Sequence, residues 1–276
     1  MSIKLIATDV DGTLVADDHL TIPPINIKAF REAKSKGAII AVSTGRPYSL
    51  AKRECDLLGC VDYLILSNGA AVVDMQSSEI LYSCYLPLKS LERIIRIFEK
   101  YPLVYEIYAD CNGYITNYTY DHYFEAEGLP NVFLKEYRKL MIRCESPWEI
   151  IKTRNVEKLN IDHMPEECIE PLLQELKDIP DLVYSAGFKG NMEITAKGAD
   201  KGKALKWLGE RLGLDAENIM AFGDSGNDAT MLMYAGYSYA MKSGNEKAKR
   251  CAKFETIASN NEGGVGMTIN KYFGKL

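Results

Sequence analysis

Leu5-Ile6-Ala7-Thr8-Asp9-Val10-Asp11-Gly12-Thr13-Leu14-Val15 is the stretch on which the reading of this chain turns. Four uncharged, mostly apolar residues run into two aspartates, and a glycine follows at once. Such a run reads as a strand buried on both faces, as in a parallel sheet. The carboxyl ends of these strands are where open α/β sheets place their ligands. Asp9 and Asp11, at i and i+2, point to the same side of an extended backbone. Two acids this close repel unless a cation or a shared proton lies between them, which suits a hard ion such as Mg2+. The pair also suits a division of labour in which one carboxylate attacks and the other carries a proton. Asp-Gly is equally ordinary turn chemistry, so spacing alone leaves both readings open. A calcium loop fits badly, because Gly12 comes too early and Leu20 stands where the bidentate Glu belongs.

The string Asp9-Val10-Asp11-Gly12-Thr13-Leu14-Val15 resembles the first motif of the haloacid-dehalogenase (HAD) superfamily, and further strings follow in that superfamily's order. A second buried-type strand, Ala38 to Val42, runs into Ser43-Thr44-Gly45-Arg46-Pro47. A hydroxyl and a glycine at a strand end offer a phosphate oxygen a side-chain donor and approachable backbone N–H groups. The same residues would also cap a helix from Pro47 to Leu58. The Cof-like branch of the superfamily reads Thr-Gly-Arg here, so Thr44 matches the second-motif hydroxyl and Arg46 is a candidate contact to substrate or cap. Ser67-Asn68-Gly69-Ala70, after a third strand, matches that branch as well.

Lys201 opens a helix whose stripe is Ala204, Leu205, Leu208 and Leu212. A lysine there opposes the helix dipole unless it faces carboxylates or a phosphate. Lys197 competes for the role, but Lys201-Gly202-Lys203-Ala204-Leu205 is the better match to the third motif. Gly223-Asp224-Ser225-Gly226-Asn227-Asp228, after a strand at Ile219 to Phe222, resembles the fourth. Taken alone, Asp228 would read as a helix cap. Asn245-Glu246 and Glu262-Gly263-Gly264-Val265 resemble the branch's tail, with Glu246 where a small residue is usual.

At 276 residues the chain is long for one sheet-and-helix domain and comfortable for two, and its 47% hydrophobic content supports a real core. A net charge of −5 argues against a broad nucleic-acid surface, though a local basic pocket stays open. The 7 cysteines form no CxxC pair, which suits a reducing compartment. With no basic leader and no run of about 18 apolar residues, a cytoplasmic protein without a membrane span is expected.

From about Leu86 to Gly190 the texture changes: a helix, a tyrosine-rich hairpin around Asp110-Cys111-Asn112-Gly113, then helix–strand–strand order. This reads as an inserted α+β module with an antiparallel sheet, at 87–190, between core segments 1–86 and 191–276. Most of its tyrosines read as packing residues on a half-exposed sheet face. His19, His122 and His163 lack partners at ligand spacing and read as surface or packing residues.

The resemblance implies a Rossmann-like, parallel-sheet α/β HAD core with an inserted α+β cap of type C2B, as in Cof-like type IIB phosphatases. It implies a Mg2+-dependent phosphatase that forms an aspartyl-phosphate on Asp9, with Asp11 as general acid and base. Asp9, Asp224 and the backbone carbonyl of Asp11 are the implied metal ligands. Thr44, Lys201 and Asn227, with Val10, Gly45 and Arg46 beside them, are the implied phosphate contacts, and Asp228 orients Lys201 or the metal. A small phosphorylated metabolite is the expected partner, sugar phosphates first, with discrimination supplied by the tyrosine-rich insert. No nucleic acid or membrane is expected, and a monomer or weak homo-oligomer is. A sugar phosphomutase shares these core residues, and a non-catalytic phosphate sensor is the third reading.

Overall fold

The computed structural model describes residues 3–123, 130–185 and 191–274. The chain opens as β1 (Leu5–Thr8), α1 (Pro24–Ser35), β2 (Ile39–Ser43), α2 (Tyr48–Leu58), β3 (Tyr63–Leu66), β4 (Ala71–Asp74) and β5 (Ile80–Ser83). It continues as α3 (Leu88–Phe98), β6 (Val104–Ala109), β7 (Asn112–Thr116), α4 (Asn117–His122), α5 (Asn131–Leu140), β8 (Ile142–Cys144), α6 (Pro147–Thr153), β9 (Val156–His163), α7 (Glu166–Leu176), β10 (Leu182–Ser185) and β11 (Met192–Ala196). It closes as α8 (Lys201–Arg211), β12 (Ile219–Gly223), α9 (Ala229–Tyr234), β13 (Tyr237–Ala240), α10 (Glu246–Cys251), β14 (Phe254–Glu255) and α11 (Gly264–Phe273).

Two compact units result. The first takes in residues up to Arg46, Ala51–Ser83 and everything from Asp200; the second takes in Pro47–Leu50 and Cys84–Ala199. In the first, an eight-stranded sheet runs β14-β13-β12-β1-β2-β3-β4-β5. It is parallel from β14 to β3, and β4 and β5 add an antiparallel edge. Leu5 pairs with Ile39 on one side and Ile219 on the other, so β1, β2 and β12 end level with one another. The loops after Thr8, Ser43 and Gly223 therefore leave the sheet at one edge. Leu5, Ala7, Ala41, Ile65 and Ala221 pack against Leu205 and Leu208 of α8 and Met231 of α9. Burial of β1 throughout explains why its sequence shows no alternation.

In the second unit a six-stranded sheet runs β10-β11-β9-β6-β7-β8. Its pairings are antiparallel, as expected of the inserted module, except that β8 adds to β7 in parallel. Tyr105, Ile107 and Ala109 alternate onto the face that packs with Leu91, Ile94 and Phe98 of α3 and Leu172 and Leu176 of α7. The intervening Glu106 is buried too, accepting hydrogen bonds from Tyr108 Oη (2.5 Å) and Tyr123 Oη (2.6 Å).

Other differences from the sequence reading have local causes. Strand β11, expected on the core side of a boundary at 190, pairs antiparallel with β9 (Glu193 opposite Asn160) and belongs to the second sheet. Tyr118 and Tyr120 lie on α4 rather than on a strand, because the Thr116 hydroxyl caps that helix by accepting from Thr119 N. Helices α5 and α6, unread in the sequence, follow Pro130 and a Ser146 cap with Pro147 at the first turn. The second module's last helix–strand–strand run reads in sequence with strands at Leu182 to Ala186 and Met192 to Thr195; Ala186, and Gly190 at the expected boundary, lie outside the described residues. Among the described residues no helix is long and apolar enough to cross a membrane.

Candidate active site

The site begins where β1 runs out. Asp9 N donates to Phe222 O (3.0 Å), continuing the β1–β12 ladder by one residue and holding Asp9 extended. Asp11 remains in a non-helical conformation, and Gly12 then takes φ +73°. A Cβ at Gly12 would lie 2.6 Å from Asp224 Oδ2, so only glycine lets the loop after β12 come this close. Thr13 Oγ1 donates to Asp224 Oδ1 at 3.2 Å.

Lys201, fully buried at the first position of α8, donates to Asp9 Oδ1 (2.6 Å) and to Asp228 Oδ1 (2.7 Å). Burial alone would lower its pKa, and Asp228 with Asp9 outweighs this and raises it. The helix dipole's objection to a lysine here is met by these two carboxylates. Asp228 makes no side-chain cap on α9. Its Oδ2 turns back and accepts from the N–H groups of Asp224 and Ser225, both at 3.0 Å.

Asp9, Asp224 and Asp228 each bring a carboxylate oxygen within 4.8 Å of the others. Burial raises the Asp9 pKa against the pull of Lys201, and Asp228, Asp224 and Asp11 add to the rise. Burial and Asp228 push Asp224 up to about 7. Clustered carboxylates held above their ordinary range, with oxygen donors only, are the chemistry a hard divalent cation relieves. The Asp11 carboxylate does not join this group, so any part it plays in holding an ion falls to its backbone.

Thr44 is fully buried, and its Oγ1 accepts from Arg46 N at 3.1 Å. The loop after β3 is bonded to this segment: Ser67 N donates to Arg46 O and Asn68 N to Thr44 O, each at 3.0 Å. Both loop residues are left-handed, with φ +50° and +59°. Asn68 Oδ1 in turn accepts from Asn227 Nδ2 at 3.0 Å, and Ser225 Oγ donates to Asn227 Oδ1 at 2.7 Å. The second and fourth strings thus meet through Asn68. Val10 is buried, presenting its backbone to the turn, and Gly45 lies between Thr44 and Arg46.

Arg46, the candidate contact to substrate or cap, is turned toward Asp11. It is 5% exposed and grips Asp11 with two bonds, Nε to Oδ2 (2.8 Å) and Nη2 to Oδ1 (2.5 Å). Nη1 lies 3.2 Å from the buried Glu54 Oε2. His19, read as a surface or packing residue, places Nδ1 2.8 Å from Asp11 Oδ1. Partial burial pushes the Asp11 carboxyl up, but Arg46 and His19 outweigh it and hold the group well below the usual carboxylate range. Asp11 is therefore held ionised. Thr13, Glu54, Asn68 and His19 complete the constellation; Thr13 and Asn68 stood in strings that drew attention, Glu54 and His19 did not. His122 bonds to its own helix at Tyr118 O.

The profile of a family described as haloacid dehalogenase-like hydrolase matches residues 6–269. The 5-amino-6-(5-phospho-D-ribitylamino)uracil phosphatase YcsE of Bacillus subtilis (strain 168) is 30% identical over 272 residues, covering 99% of this chain and 96% of that protein. Among solved structures, a haloacid dehalogenase-like hydrolase from B. subtilis matches with a TM-score of 0.82 at 25% identity, covering 98% of this chain and 99% of that one. The HAD subclass IIB sugar phosphatase BT4131 matches with a TM-score of 0.78 at 26% identity, over 98% and 99%.

Proposed function

This chain belongs to the haloacid dehalogenase-like hydrolases, and from that premise we propose that it is a Mg2+-dependent phosphatase of small phosphate monoesters, sugar phosphates first among them. The observation that carries the proposal is the buried Asp9 carboxylate, 2.6 Å from the Lys201 ammonium and beside Asp224. The substrate class rests on two relatives, one named for a phosphoribityl compound and one a sugar phosphatase.

A phosphate monoester carries about −1.5 to −2 charge near neutral pH, so a carboxylate nucleophile cannot approach it unaided. Asp9, Asp224 and the Asp11 carbonyl would hold Mg2+, which when bound offsets charge between nucleophile and phosphoryl group. Lys201, Thr44 and Asn227 would hold the equatorial oxygens, where charge spreads in the transition state. An Asp9 oxygen attacks phosphorus and the bond to the leaving oxygen breaks. The protonated form of Asp11 gives that oxygen its proton, releasing the alcohol. Donation requires Asp11 to exchange its grip on Arg46 for the leaving group. Water then attacks the phosphoryl group, its proton passes to Asp11, and the bond to Asp9 breaks to release phosphate. The ionised form, which Arg46 and His19 favour, is the one that serves this second half. Asp228 keeps Lys201 aimed at Asp9.

The test is an initial-rate screen over phosphorylated metabolites with Mg2+, reading released phosphate, for the wild type and Asp9→Asn. Sugar phosphates should be turned over by the wild type alone. Release by both proteins alike, or by neither, would contradict the proposal.

A further inference from the structure

The turn between Ala16 and Thr21 is built more firmly than a surface connection needs. Ala16 N donates to Thr21 O (2.8 Å) and His19 N to Ala16 O (2.9 Å), closing the turn on itself. Asp18 Oδ1 accepts from the N–H groups of Leu20 (2.9 Å) and Thr21 (2.7 Å). Outside the turn, Arg53 Nη1 donates to Leu20 O (2.8 Å), while Asn260 and Asn261 donate to the two oxygens of Asp17 (2.9 and 2.7 Å). The pinned turn holds His19 at φ +57°, a left-handed conformation that side chains other than Asn, Asp and His seldom adopt. Strained backbone persists only where its surroundings over-determine it.

This conformation delivers the imidazole to Asp11. Nδ1 stands 2.8 Å from Oδ1, and toward Asp11 in its carboxylate form, which only accepts, Nδ1 is the donor. Arg46 Nη2 also donates to Oδ1, so both groups fix one carboxylate oxygen while Arg46 Nε fixes the other. Arg46 is itself backed by Glu54, 3.2 Å from Nη1. When Asp11 leaves Arg46 for the substrate, the grip must be remade before it can take a proton from water. His19, on its pinned turn, offers a fixed second donor for that return.

We propose that His19 is a positioning residue for Asp11, holding its Oδ1 where the carboxylate serves as base in the second half of the reaction. The inference rests on the reading of Asp11 as general acid and base.

The left-handed backbone makes a clean test possible. His19→Gly keeps the conformation and removes the donor; His19→Asn also tolerates the conformation and returns an N–H donor in the place of Nδ1. The probe is p-nitrophenyl phosphate, whose leaving group needs no proton, followed by rapid mixing with the full-length protein and Mg2+. His19→Gly should release a burst of about one p-nitrophenolate per enzyme, followed by a steady rate lowered about tenfold, the scale of one hydrogen bond to a charged group. His19→Asn should recover most of the rate and lose the burst. A structural defect would lower amplitude and rate together and make no burst. A His19→Gly enzyme that behaves as wild type, that slows without a burst, or that His19→Asn merely copies overturns the inference. Asp11→Asn in the same experiment separates the two layers: it should also give a burst. If it does not, the reading of Asp11 falls and the role of His19 with it; if Asp11→Asn bursts and His19→Gly does not, only the inference about His19 fails.

Discussion

The Lys201 ammonium lies 2.6 Å from Asp9 Oδ1, with both side chains buried and the two residues 192 positions apart in the chain. The same nitrogen is 2.7 Å from Asp228 Oδ1, so one buried cation serves two buried acids. Removing it leaves two buried carboxylates without a counter-charge. Lys201→Met should therefore cost about 3–5 kcal/mol of stability at pH 8 without metal, the usual penalty for breaking a buried pair. Urea unfolding in the presence of a chelator measures it, and an unchanged midpoint would contradict the pairing.

On the proposed reading, metal and protons compete for Asp224. Burial and Asp228 move its pKa from 3.8 in the unfolded chain to about 7 in the fold, so between those values the folded protein binds a proton that the unfolded chain has released. This group's contribution to metal-free stability accordingly falls as pH rises through that window. Mg2+ should offset the loss where the carboxyl is ionised. The increase in Tm on adding Mg2+ is expected to be small at pH 5 and clearly larger at pH 8. The reverse order would show that Asp224 is not where the ion binds.

Asp11 should reveal itself through the leaving group. Asp11→Asn is expected to lower turnover of an alkyl phosphate about 10²–10⁴-fold, the range for loss of a general acid or base. With p-nitrophenyl phosphate the first step is spared, so the loss should be smaller. Equal losses on the two esters would remove Asp11 from the role of acid toward the leaving group.

The loop geometry makes a fourth prediction. Gly12→Ala sets a methyl 2.6 Å from Asp224 Oδ2 at a φ of +73°. Strain of this kind costs about 1–3 kcal/mol. The displaced carboxylate should also weaken Mg2+, which titration calorimetry would read as a raised Kd. A stable variant with wild-type affinity would show that the loop can yield.

Much of this was legible because the chemistry sits in short strings at strand ends. Asp9 and Asp11 follow a run whose burial on both faces could be read from its lack of polar alternation. Lys201 betrayed itself by opposing a helix dipole. Asp228 shows where local reading stops: cap and Lys201 partner fit the same string, and only the backward turn of its carboxylate decides. Arg46 reads as a helix-start arginine as easily as a ligand contact, because nothing nearby states that it is 5% exposed and turned toward Asp11 and Glu54. His19 was missed for a different reason. Its meaning depends on a left-handed φ imposed by a turn pinned from Arg53 and Asn261, residues far along the chain. The parallel pairing of β7 with β8 was likewise set by contacts that bring residues 112–116 and 142–144 together.

The central claim is that phosphate passes through Asp9. It is tested most directly by quenching the enzyme in acid during turnover of a sugar phosphate, reducing any acyl phosphate with borohydride, and mapping the reduced residue by mass spectrometry. Conversion of Asp9 to homoserine in the wild type, and its absence in Asp9→Asn, is the predicted result. A modified residue other than Asp9, or no reducible intermediate in Asp11→Asn turning over p-nitrophenyl phosphate, where it should accumulate, would contradict the account.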